Sequence, residues 1–225
     1  MSQKEKGKLI VLEGIDGAGK STQTQLLSAY LTRKGATTEQ IKFPRYETFF
    51  GQLVLQFLNG ELGSIDQVSP YLASIVYALD RSAIKEKLFE LLNGGTTLIM
   101  DRYVGSNMAH QAAKFPKEKR EQYLEWVNRL EYSELGLPKE DLVIFLDTPP
   151  LLSKPRLKWK EGTDIHEEDM DYQKETYHVY EELAAKYPHW HKIQCVDTDY
   201  NLLSPEDIHQ EIVKVVESIK FDGIS

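Results

Sequence analysis

Residues 14 to 22 read GIDGAGKST and follow directly on the apolar run Leu9 to Glu13, LIVLE. The spacing is G-x-x-x-x-G-K-[ST], and each residue type in it answers to phosphate chemistry. Gly14, Gly17 and Gly19 carry no Cβ, so the backbone can turn tightly and aim successive N–H groups at phosphate oxygens. Ile15, Asp16 and Ala18 complete the turn. Lys20 supplies a cation for the β- and γ-phosphates of a nucleotide, and the Ser21 hydroxyl, with Thr22 beside it, can ligate the Mg²⁺ that bridges them. The stretch that follows, STQTQLLSAYLTRKG, has apolar residues at Leu26, Leu27, Tyr30 and Leu31, which is helical spacing. A helix starting there adds the partial positive charge of its N-terminus to the anion site. A plain Gly-rich turn between strand and helix does not call for the Lys-Ser pair, so nucleoside triphosphate binding is expected.

Short apolar strands alternate with helical stretches along the rest of the chain. The expected strands are Leu9–Glu13, Gln40–Phe43, Thr97–Asp101, Leu142–Asp147 and Lys192–Val196, and the expected helices include Pro70–Leu92, Glu118–Leu135, Asp171–Lys186 and Pro205–Ile219. Strands separated by helices point to a parallel sheet covered on both faces. Ligands of such sheets bind beyond the carboxyl ends of the strands. There the sequence places Asp16, Phe43 to Tyr46, Asp101 to Tyr103 and Asp147. The segment of about 154–171, KPRLKWKEGTDIHEEDMD, is highly charged and weakly periodic. It reads either as a solvated loop between helices or as a lid closing over phosphates, the latter favoured by cations bunched ahead of acids.

Composition limits the alternatives. The 225 residues are expected to form a single α/β domain, with 41% hydrophobic residues to fill its core. A net charge of −8 argues against a general nucleic-acid binder, which usually shows a basic field. No apolar run approaches the ~18 residues of a membrane span, and the polar start MSQKEKGK is no secretory signal. The single cysteine, Cys195, excludes an intramolecular disulfide and lies in the apolar stretch IQCV, as a buried strand residue would. A cytoplasmic enzyme is expected, holding its nucleotide with a local cluster of cations.

Further motifs narrow the class. No guanine-reading N-K-x-D segment occurs. The second strand instead ends in FPRY (43–46) and the third in DRY (101–103), the helix between them carries YALDR (77–81), and DIHE (164–167) comes later. With GIDGAGKST, and in this order, these motifs resemble the thymidylate kinase family from Leu9 to about Glu182. The resemblance implies a P-loop kinase fold, a five-stranded parallel sheet with helices on both faces and a short lid. It implies transfer of the γ-phosphoryl group of ATP to dTMP, with Mg²⁺, for dTTP synthesis.

The same resemblance assigns residues. Residues 14–22 hold ATP, and Ser21 and Asp101 serve the metal. Arg45 and Arg102 look like the family's phosphate-handling arginines, suited to forked contacts that a lysine cannot make. Tyr77 matches an aromatic that stacks on thymine, Arg81 and Asn107 match the readers of its two edges, and Phe43 and Pro44 wall the pocket. Asp16 resembles the carboxylate at the sugar 3′-hydroxyl, Tyr103 the residue behind that sugar, and Tyr46 one that touches the acceptor or its ion. His110 stands where relatives have a tyrosine crowding the 2′ position, and Asp164, His166 and Glu167 match acceptor-site positions in the lid. Family members carry a catalytic arginine in the phosphate loop or in the lid. With Gly17 in the loop, Arg156 is the expected one, with Lys158 and Lys160 as substitutes, alongside Lys20 and Arg102. A homodimer is expected from the family alone. Two other readings stay open: a kinase of another nucleoside monophosphate or of a deoxynucleoside, and a non-catalytic nucleotide-binding module. Several residues also have plain structural readings: Tyr77 as core, Arg102 as a salt bridge, Asp101 as a helix cap, and His110 as a surface or core residue.

Overall fold

The computed structural model describes residues 6–63, 67–153 and 170–219. Among them five parallel strands form one sheet in the order β2-β3-β1-β4-β5: β1 (Leu9–Glu13), β2 (Thr38–Lys42), β3 (Thr97–Asp101), β4 (Leu142–Asp147) and β5 (Trp190–Gln194). Burial explains the composition of each. The inner strands LIVLE and LVIFLD are buried at every position, as strands covered on both faces require. The edge strands TEQIK and WHKIQ mix buried or half-buried positions with exposed ones.

Helices connect them. α1 (Lys20–Arg33) follows the phosphate loop; α2 (Phe49–Leu58), α3 (Pro70–Ser82) and α4 (Lys85–Asn93) lie between β2 and β3. α5 (Val104–Ala112) and α6 (Lys117–Asn128) follow β3, and α6 runs on as a π-helical segment, Arg129–Glu134. The short α7 (Pro150–Ser153) precedes the undescribed segment, α8 (Met170–Lys186) follows it, and α9 (Pro205–Ser218) packs on α1. The single helix expected over Pro70–Leu92 is two helices, broken at Ala83 and Ile84. The helix expected over Glu118–Leu135 changes to π geometry at Arg129.

The strands end in register where the cleft opens. Leu12 of β1 and Lys42 of β2 both stand opposite Asp101 of β3. At the end of β1, Glu13 is fully buried, and its four hydrogen bonds define where α5 begins. Its Oε1 accepts from the backbone N–H of Tyr103 and of Ser106, each at 2.9 Å. Its Oε2 accepts from Ser106 Oγ at 2.6 Å and from Tyr180 Oη at 2.9 Å. α5 has no capping side chain of its own, so a carboxylate some 90 residues upstream satisfies its first amides. The approach is close: a Cβ on Gly105 would come within 2.8 Å of the Trp190 ring.

A second carboxylate makes stability depend on pH. Glu140, ahead of β4, accepts a 2.7 Å hydrogen bond from Tyr132 Oη. Removal from water, with Glu13 and Glu131 nearby, raises its pKa to about 7. The unfolded chain releases this proton near 4.5 and the folded one near 7, so between those values the unfolded state binds fewer protons and stability falls as pH rises. Glu140→Gln removes that cost. Thermal melts are expected to show the variant close to wild type at pH 4.5 and more stable than wild type at pH 8. A constant difference across that range would contradict this.

Candidate active site

The phosphate loop is built as its glycines require. Gly14, Gly17 and Gly19 have φ of 144°, 78° and 97°, a region side chains disfavour. Gly17 also has no room, since a Cβ there would meet Ser153 O at 2.5 Å. α7 therefore closes this loop position to any larger side chain. Lys20 lies across the loop, its Nζ donating to Gly14 O at 2.9 Å and Ile15 O at 2.8 Å. Burial and the Arg102 guanidinium bring its ammonium down to about 8, against the pull of Asp16, Asp101 and Glu13. A phosphate placed in the loop reverses that balance, because it supplies the negative charge this cation lacks.

The cleft over the loop holds about 450 Å³ and is lined by residues 16–23 with Lys42, Asp101, Arg102, Pro205 and Ile208. At its floor Ser21 Oγ donates to Asp101 Oδ2, and Lys42 Nζ stands 3.7 Å from that same oxygen. Asp101 Oδ1 is buried without a hydrogen-bond partner among the described residues. A hydroxyl beside a carboxylate with an unspent oxygen fits a hard divalent cation. Among the described residues no three His, Cys, Asp or Glu side chains cluster to hold one alone. Most of its ligands would thus be phosphate oxygens and water, the usual habit of Mg²⁺.

Arg102 joins this cleft to a second one. Its Nη2 donates to Asp16 Oδ1; its Nη1 donates to Ser106 Oγ at 3.0 Å and Gly14 O at 3.3 Å and stands 3.2 Å from His110 Nε2. Burial disfavours the Asp16 charge, yet Arg102 and Lys20 hold its carboxyl well below the usual carboxylate range. The second cleft is lined by Asp16, Pro44, Tyr46, Leu58, Tyr77, Arg102, Ser106, Asn107, His110, Gln111 and Tyr172. It is narrow, with room for about 80 Å³. Tyr77 is half-buried there and meets Phe57 edge-on, with 6.2 Å between ring centroids.

Seven residues expected on the acceptor side thus line one cleft: Asp16, Pro44, Tyr46, Tyr77, Arg102, Asn107 and His110. The others stand behind it. Phe43 is buried, and its ring lies 6.0 Å from that of Tyr103. The Tyr103 ring is fully buried, with its hydroxyl donating to Pro138 O at 3.1 Å. Arg45 is tied to Asp80, its Nη2 donating to Oδ1 at 3.0 Å and to the backbone oxygen at 2.6 Å. Arg81 is buried against Glu131. Asp147, at the end of β4, is taken up by Tyr177 Oη at 2.6 Å and Lys192 Nζ at 2.9 Å, away from both clefts. Arg156, Asp164, His166 and Glu167 lie outside the described residues.

Ser106, Gln111, Tyr172 and Glu131 were not among the expected site residues. Ser106 and Gln111 were within reach, because a helix carrying Asn107 and His110 brings neighbours one turn away onto the same face. Tyr172 and Glu131 come from distant segments, and no local pattern marks them.

Comparison with known proteins gives one consistent result. A family model described as Thymidylate kinase matches residues 12–212. The chain is 34% identical over 185 residues to the thymidylate kinase of Mycobacterium tuberculosis (strain H37Rv), spanning 79% of this chain and 86% of that protein. It is 31% identical over 219 residues to the thymidylate kinase of Schizosaccharomyces pombe, spanning 97% and 96%. Among solved structures it is similar to the thymidylate kinase of Candida albicans, with a TM-score of 0.76 and 26% identity over 96% of this chain and 93% of that one.

Proposed function

This chain belongs to the thymidylate kinase family, and from that premise we propose how its own residues move the γ-phosphoryl group of ATP to dTMP. The observation that carries the assignment is the Asp16–Arg102 pair, which stands where the phosphate loop opens into the narrow second cleft. A donor phosphate over Lys20 and an acceptor phosphate beside Arg102 would face one another across it. Phosphoryl transfer depends on such placement and on charge neutralisation more than on covalent steps by the protein.

The division of labour follows. Residues 14–22 hold ATP, and Lys20 stabilises negative charge on the transferring group. Arg102, with Arg45 behind it, orients the acceptor phosphate. Asp16 takes the sugar hydroxyl, His110 faces the sugar edge, and Tyr77 stacks on the base. Ser21 and Asp101 would hold Mg²⁺, which when bound offsets phosphate charge. Arg156 is assigned the remaining contact to the transferring phosphoryl group. Asp164, His166 and Glu167 are assigned to the acceptor side of the lid.

The enzyme is read as a cytoplasmic homodimer serving dTTP synthesis. No helix among the described residues is long and apolar enough to cross a membrane. Phe49 on α2 and Leu72 on α3 are 74% and 60% exposed, as a contact face between copies would be.

A panel of monophosphates tests the assignment through steady-state ADP release. Thymine and uracil differ by one methyl, so dTMP is expected to be preferred over dUMP by on the order of 10–200-fold. Purine monophosphates are expected to fail far more badly, since a larger base demands further displacement of the side chains that line the narrow cleft. Turnover of dGMP or AMP comparable to dTMP would overturn the choice of acceptor, and no ADP release with any acceptor would overturn the kinase reading. The Candida albicans enzyme is described as having broad substrate specificity, so this panel is the direct measure of selectivity in the present chain.

A further inference from the structure

We propose that Glu131 is the residue that makes the acceptor pocket specific for a base with an N–H at ring position 3, by fixing which way the Asn107 amide faces. The inference rests on the reading that dTMP is the acceptor, with its base beside Asn107, which lines the second cleft.

The side chains form a closed network under the pocket. Glu131 is fully buried, and the buried Arg81 grips it with both arms of a fork, Nε donating to Oε2 at 2.7 Å and Nη2 to Oε1. Arg81 Nη1 donates to Tyr103 O at 3.4 Å. Asn107 Nδ2 donates to the same Glu131 Oε1 at 2.8 Å and to Ser74 O at 3.2 Å. Both protons of the Asn107 amide are therefore spent on acceptors within the protein.

That settles the orientation of the amide. Turned over, Asn107 would set its own oxygen against a carbonyl and a carboxylate, two acceptors with no proton to share. As it stands, Oδ1 is the atom left over, buried and without a hydrogen-bond partner among the described residues. A buried acceptor with no partner is a cost that a ligand N–H relieves. Thymine and uracil carry an N–H at position 3; cytosine presents a bare nitrogen there and would set acceptor against acceptor.

Glu131 does this work from an unusual place. It lies in the π-helical segment Arg129–Glu134, a wide turn of a kind often found at functional sites. A buried ion pair is seldom the most stable way to fill a core, since desolvation offsets much of the attraction. Its use here is positional: one carboxylate orients Asn107 and takes up three of the charged bonds that Arg81 and Asn107 offer.

The test uses the full chain with dTMP, dCMP and dTMP methylated at N3. Wild type is expected to favour dTMP over both of the others by at least about 10²-fold in kcat/KM, since an analogue lacking the hydrogen bond leaves the polar group unpaired. In Glu131→Gln the Asn107 amide is free to turn, so the preference for dTMP over dCMP is expected to shrink by at least about tenfold, through the acceptor KM and with the KM for ATP unchanged. A merely structural role would lower both substrates alike and leave that ratio where it was. If Glu131→Gln melts too low to assay, Glu131→Asp keeps the charge but withdraws it, and is expected to shift the ratio in the same direction by less. An unchanged ratio in a folded variant, or wild-type acceptance of N3-methyl dTMP on a par with dTMP, overturns the inference. Failure of wild type to use dTMP at all would overturn instead the function on which it rests.

Discussion

Lys20→Ala is expected to leave a folded protein with well under a tenth of wild-type kcat/KM. The ammonium donates to Gly14 O and Ile15 O in its own loop, and the side chain lines the cleft over that loop, so its removal widens an existing opening. Holding a buried cation is a cost to the folded state, visible in the fall of its pKa to about 8. The melting temperature should therefore stay level or rise. The catalytic loss is of another kind. On the proposed reading, negative charge on the transferring phosphoryl group stands opposite this cation, and an interaction that strengthens toward the transition state is felt in kcat before KM. Steady-state ADP release and a thermal melt on the same preparation separate the two effects. Retention of more than about a tenth of wild-type kcat/KM would put the kinase reading in serious trouble.

The phosphate loop and sheet were legible because their signals are local. An apolar run of five or six residues bounded by turn residues can only be an inner strand here, and β1, β3 and β4 keep the bounds read from sequence. The edge strands each begin two residues before the expected start, because half-exposed sequences such as TEQIK lack a sharp apolar onset. The break between α3 and α4 has neither Gly nor Pro to announce it. α5 was missed outright, and the reason is physical: its capping carboxylate is Glu13, at the far end of the chain's first strand. The same holds for the site. Lys20, Ser21, Asp101 and Arg102 belong to short motifs that fold into one cleft. Asp80 was in view within YALDR, but its grip on Arg45 depends on how α3 crosses the end of β2. Glu131 has no motif at all. Side chains that orient other side chains are specified by tertiary packing, and spacing along the chain does not reveal them.

Arg102→Ala is expected to lower kcat/KM for dTMP by on the order of 10³-fold or more, the scale of an arginine acting on transferring phosphate. The guanidinium touches both halves of the site, reaching Asp16 and Gly14 on the loop and Ser106 and His110 on α5. On the proposed reading, losing it removes the cation that orients the acceptor phosphate, and it leaves the Asp16 charge to Lys20 and His110. Arg102→Lys should recover a small part, because a point charge cannot span two partners as a fork does. The backbone offers a control. Arg102 has φ of 72°, a left-handed conformation that costs a residue other than glycine roughly 1–3 kcal/mol, and its N–H is held on Leu12 O at 3.1 Å. Arg102→Gly relieves that strain where Arg102→Ala keeps it. The glycine variant is therefore expected to melt at or above the alanine variant while being equally inactive. Were the glycine variant to regain activity over alanine, backbone strain and not the guanidinium would be the source of the loss. Equal inactivity with unequal stability places the chemistry in the side chain and the strain in the turn that delivers it.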